Sequence, residues 1–110
     1  MAEARILDDP FVFRPPDGAP TSWVEHVRSD HLSVGTYCLR AGGVDDQVPH
    51  REDELYVVAS GQATLEVAGE RIPVRQGSAV FVPAHARHRF LDIAADLTVL
   101  VVFGPAYTGR

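Results

Sequence analysis

From Ser22 onward the chain is cut into short β-rich segments, spaced at roughly 8–12 residues and separated by turn signals. The segments are Trp23 to Val27, Leu32 to Leu39, Leu55 to Ala59, Ala63 to Val67, Arg71 to Val74, Ala79 to Val82, Arg87 to Leu91 and Leu97 to Phe103. Turns are predicted at Gly42-Gly43, Ser60-Gly61, Ala68-Gly69, Gln76-Gly77, Pro83 and Ala94-Ala95. Because no stretch carries a helical apolar stripe, this punctuation predicts an all-β sandwich or barrel. At 110 residues there is room for one core.

The first 20 residues read differently. Phe11-Val12-Phe13 is an apolar patch, and Arg14-Pro15-Pro16-Asp17-Gly18-Ala19-Pro20 cannot continue a helix or a regular sheet. Residues 1–20 are therefore expected to form an arm, and residues 21–110 the barrel. Ile6, Leu7, Phe11 and Phe13 give the arm a motive to cover a barrel edge or to cross to a partner subunit.

Composition excludes several functions. All ten basic residues are arginine and scattered, and the net charge is −5, which argues against nucleic-acid binding. With no lysine there is no Schiff-base or pyridoxal-phosphate chemistry, and with no asparagine there is no N-glycosylation. Cys38 is alone, so it forms no internal disulfide and is expected as a small buried side chain. No apolar run reaches the length of a membrane helix and the start lacks a signal peptide's apolar centre, so a cytoplasmic location is expected. Gly77-Ser78 lacks the frame of a nucleophile elbow, and no glycine-rich loop precedes a lysine.

The chemistry concentrates in two places. His50-Arg51-Glu52-Asp53-Glu54 runs into the Tyr56-Val57-Val58 strand, and Pro83-Ala84-His85-Ala86-Arg87-His88 leads into another. Two imidazoles and a carboxylate from distant strands can converge inside a barrel on a transition metal. The same residues can instead be a hydrogen-bonded His50–Glu54 pair and a satisfied core histidine at His88. Strand alternation puts Glu54, Tyr56 and Val58 on one face and Leu55 and Val57 on the other. It likewise sets Arg87 and Arg89 opposite His88.

His50, Glu54 and Gly61 have the spacing of the first cupin motif, and Gly77, Pro83 and His88 that of the second. From Gly42 to Leu100 the chain thus resembles the cupin superfamily, of the small single-domain type, which implies a double-stranded β-helix or jelly-roll barrel. The resemblance makes His50, Glu54 and His88 the metal ligands. Val48 stands where the family has its first histidine, His85 replaces the turn glycine, and Asp92 replaces the final asparagine. Three of the family's four ligand positions are therefore filled.

The resemblance implies a divalent transition metal (Zn, Fe, Mn or Ni) and a small organic ligand, aromatic or keto-acid-like. The reactions it implies are those of a metal-dependent oxygenase, isomerase or polyketide cyclase. The alternative is a non-catalytic, metal-free binding module. Tyr37, Tyr56, Phe81 and Phe90 are the expected pocket residues, with Trp23 or Phe103 as further candidates. Arg40 is a candidate to meet a carboxylate at the mouth. Tyr56 and Glu52 are candidates for proton transfer, and Glu52 on its turn also for the missing ligand. Small cupins resemble one another in forming dimers, and outward apolar residues such as Leu55 and Val57 agree with a homodimer.

Overall fold

A computed structural model describes residues 3–109. Six strands follow in order: β1 (Thr21–Arg28), β2 (Ser33–Leu39), β3 (Asp53–Val67), β4 (Glu70–Arg75), β5 (Ala79–Val82) and β6 (His88–Gly104). All pairings are antiparallel, in the order β1-β2-β6-β3-β4, with β5 added to β3. The described residues contain no helix.

Two strands are longer than the sequence pattern predicts. Ser60-Gly61 and Ala94-Ala95 are not turns but irregular points inside β3 and β6, where the register shifts between Val58 and Thr64. On one side of the shift, Asp53 to Val58 pair with β5 and with Val99 to Gly104; on the other, Thr64 to Val67 pair with β4 and with His88 to Leu91. Bulges bend a strand and increase its twist, so two long strands can wrap one core between their halves. Gly61 makes the bend possible. Its φ is +99°, and a Cβ there would collide with the Asp96 backbone oxygen.

Inside the wrap lie Leu39, Tyr56, Val58, Leu65, Val82, Phe90, Leu97, Val99, Val101 and Phe103, all nearly solvent-free. Full burial of such a side chain is worth about 1.5–3 kcal/mol relative to exposure, so this inner face dominates stability. Cys38 is free and buried.

Residues 3–20 carry no strand and lie along the chain's own β2. Thr36 Oγ1 donates to the Pro10 carbonyl at 2.5 Å, and Cys38 Sγ lies 3.8 Å from the Val12 carbonyl. Arg40 donates to the carbonyls of Ala19, Pro15 and Pro16 and sits 5.5 Å from the Phe13 ring centre. Arg40 thus clamps the arm and does not face the barrel mouth, because its three acceptors all belong to the proline-rich segment.

Candidate metal centre

His50 lies in the segment before β3, Glu54 on the second residue of β3, and His88 on the first residue of β6. The inward phase of β3 carries Glu54, and the pairing of Glu54 with Phe103 and Val82 seats it between β6 and β5. His50 is held by its own backbone: its carbonyl accepts the His85 N–H at 2.7 Å. His85 fills the turn with φ of 69°, the left-handed conformation that a glycine takes without cost, and its side chain is exposed. The two histidine-bearing segments are therefore tied directly to each other.

The three side chains meet. His50, Glu54 and His88 are only 6%, 3% and 6% exposed, and one ligand atom from each lies within 4.8 Å of the others. Glu54 Oε1 is 3.1 Å from His88 Nε2 and 4.0 Å from His50 Nε2, and the two imidazole centres are 5.0 Å apart.

The protonation pattern matters more than the distances. His88 Nδ1 is 2.9 Å from the Ala86 carbonyl, which can only accept, so Nδ1 carries the proton. A neutral His88 then presents the lone pair of Nε2 to a carboxylate oxygen. At 3.1 Å neither His88 Nε2 nor Glu54 Oε1 makes a well-oriented hydrogen bond, although both are buried. Two converging electron pairs of this kind need a cation between them or a second proton on the ring. Burial opposes that proton, but the Glu54 carboxylate and the Ala86 carbonyl favour it more, and the His88 pKa rises above its ordinary value. The donor set of two imidazoles and one carboxylate suits a divalent transition metal.

Above the cluster opens a cavity of about 350 Å³, walled by Trp23, Tyr37, Val48, Phe103 and Tyr107, with Gln47, His50 and Glu54 at its polar end. Phe103 and Tyr107 stack at 4.5 Å, and Trp23 meets both edge-on. The charged carboxylates on this wall are Asp46 and Glu54, and no arginine lines it.

The expected pocket residues divide. Tyr37 lines the cavity. Phe81 does not: it is 60% exposed, because its neighbours Val80 and Val82 take the inward phase of β5 and turn its ring outside. Phe90 is buried below the site against Tyr56, at 5.0 Å between rings, since its partner Leu65 lies at the far half of β3. Tyr56 is fully buried, and its hydroxyl donates to Gln47 Oε1 at 3.3 Å. Burial, reinforced by the Glu54 charge, holds the Tyr56 phenol far above its ordinary pKa, so it stays protonated. Glu52 is not at the surface of a turn. It is 2% exposed and accepts from the Thr108 hydroxyl at 2.7 Å and the Thr108 N–H at 3.2 Å, and it is not one of the three residues whose ligand atoms converge. Continuing the alternation of Glu54 and Tyr56 back by two residues places Glu52 inside.

Two residues passed over by the sequence reading belong to the site. Asp45, 3% exposed, accepts from the Phe90 N–H at 2.8 Å and from the Tyr37 hydroxyl at 2.7 Å. It also accepts from the Gln47 amide at 2.7 Å, and Gln47 Oε1 lies 3.3 Å from His50 Nε2. Both sit in an irregular segment, where no periodicity marks an inward side chain.

Comparison with known proteins agrees with this architecture. The sequence profile of the family described as "Cupin domain" matches residues 35–103. An uncharacterized protein of Streptomyces coelicolor is 47% identical over 89 residues, covering 81% of this chain and 82% of that protein. An RmlC-like cupin from Shewanella frigidimarina superposes with a TM-score of 0.74 at 20% identity, over 84% of this chain and 82% of that one. KdgF from Halomonas sp. superposes with a TM-score of 0.77 at 18% identity, over 94% of each chain. Likenesses at 18–20% identity speak for the fold.

Proposed function

The chain belongs to the Cupin domain family, and from that membership and the site geometry we propose that it binds a divalent transition metal through His50, Glu54 and His88. The metal lies at the polar end of a pocket for a small organic molecule. The observation that carries this reading is the pair His88 Nε2 and Glu54 Oε1, buried and 3.1 Å apart, neither of which makes a well-oriented hydrogen bond. A cation there would supply Lewis acidity to a ligand entering from the cavity.

The wall selects the ligand. Four aromatic rings favour a flat, largely apolar molecule. With Glu54 neutralised by the ion, the preference for the aromatic over the keto-acid class rests on the four rings of the wall. Tyr56 keeps its proton and reaches Gln47, which makes it a positioning residue rather than a base. Glu52 Oε2 holds Thr108, so its part is to dock the C-terminal segment that carries Tyr107 to the pocket wall.

A metal-free binding module is the second reading, supported by the raised His88 pKa, since a doubly protonated ring would satisfy Glu54 as an ion pair. Thermal unfolding with added Fe(II), Mn(II), Ni(II) or Zn(II) separates the two. A ligand at about a hundred times its Kd stabilises by about 2.7 kcal/mol, a shift of many degrees in a chain this size. No shift with any of the four leaves the metal-free module.

The protein is further proposed to form a homodimer. Phe81 and Leu55 pair across β5 and β3 on the outer face, 60% and 39% exposed, and give adjoining apolar surface that a second copy can cover.

A further inference from the structure

Val48 leaves the ion site one ligand short of the family pattern, and its side chain is 52% exposed. Its neighbour Gln47 turns towards the site instead. Resting on the metal reading above, we infer that Gln47 supplies the fourth protein ligand through its amide oxygen.

The orientation of the amide follows from its partners. Asp45 Oδ2 accepts at 2.7 Å, so the NH₂ group must face Asp45 and Oε1 must face away from it. The Tyr56 hydroxyl, which donates at 3.3 Å, also identifies the atom it meets as the oxygen. Asp45 is itself fixed from two sides by Phe90 N–H and Tyr37 hydroxyl. The amide is thus held by a part-buried hydrogen-bond network and not by chance rotation.

The spacing is that of neighbouring ligands. Atoms each about 2.1 Å from one ion stand about 3.0–3.4 Å apart at octahedral or tetrahedral angles. Gln47 Oε1 lies 3.3 Å from His50 Nε2, and His88 Nε2 lies 3.1 Å from Glu54 Oε1. An amide oxygen is neutral, as the missing imidazole is, so the site keeps its charge. It is a harder donor than imidazole, so the change moves the preference of the site towards Mn(II).

The test uses the full chain stripped of metal and titrated with Ni(II) by calorimetry, as wild type, Gln47→Ala and the remote control Gln76→Ala on an exposed turn. We expect one Ni(II) per chain in all three, with Gln47→Ala weaker by about tenfold or more and Gln76→Ala unchanged. A crystal structure of the Ni(II)-loaded wild type should place Gln47 Oε1 within about 2.5 Å of the ion. This second measurement stands even if the variant folds poorly. Equal affinity of Gln47→Ala and wild type, or an oxygen beyond ligand distance, overturns the inference and leaves the three-residue site intact. Failure of the wild type to take up Ni(II) overturns the metal reading, and the inference with it.

Discussion

Glu52 Oε2 accepts the Thr108 hydroxyl at 2.7 Å, and so joins the segment before β3 to the residue that follows Tyr107. The contact is local to the pocket wall, because Tyr107 stacks on Phe103 and meets His50 edge-on at 5.3 Å. Glu52→Ala removes the acceptor for two Thr108 donors and should cost about 1–3 kcal/mol in urea unfolding. Metal content should stay at the wild-type level. A variant that unfolds normally but loses its metal would return Glu52 to the ligand set.

Gly61 and Gly69 share a left-handed backbone but differ in what surrounds them. A Cβ on Gly69 meets nothing within 4 Å, whereas on Gly61 it strikes the β6 backbone at Asp96. Gly69→Ala should therefore cost about 1–2 kcal/mol, the ordinary penalty of that conformation. Gly61→Ala should cost clearly more, or prevent folding, since backbone must move. Equal denaturation midpoints for the two variants would show that β3 does not bend as described.

How far the sequence reached depends on where a residue sits. Alternation along β3 correctly oriented Glu54, Leu55, Tyr56 and Val58, because a strand with one buried face leaves a period of two in its side chains. The same alternation, applied to β5, would have turned Phe81 outward; aromatic character was the weaker guide. Gly61 and Ala94-Ala95 read as turns because a bulge uses the same small residues as a turn. Asp45 and Gln47 were invisible for another reason: the segment between β2 and β3 has no regular repeat, so no periodicity marks the side chains it folds inward. The burial of Glu52 was legible in the phase of β3, but its bond to Thr108, distant in the chain, was not.

His26 offers a pH effect away from the metal site. Its Nε2 lies 2.6 Å from Thr36 Oγ1, and Thr36 donates to Pro10, so the ring donates to Thr36. Burial and then the Arg14 charge lower the His26 pKa, against a smaller opposing pull from Asp8. The folded state thus binds the His26 proton less readily than the unfolded chain. Its contribution is full above the unfolded value of about 6.5 and is lost as pH falls through the lower folded value. Urea midpoints of wild type should drop more than those of His26→Gln between about pH 7.5 and 5.5. Parallel curves would contradict the shift.

Phe81 tests the dimer. Phe81→Glu places a charge on the outer apolar face and should yield a monomer by light scattering, with folded stability changed by no more than about 0.5 kcal/mol. A wild type that is already monomeric at micromolar concentration, or a variant that still dimerises, would place the interface elsewhere or abolish it.

One ion held between His50, Glu54 and His88 is read directly by metal stoichiometry. Elemental analysis of wild type and of the His50→Ala/His88→Ala double variant, both reloaded with Ni(II) and desalted, should give about one metal per chain for the first and almost none for the second. Equal metal content in the two proteins, with both folded by circular dichroism, would contradict it.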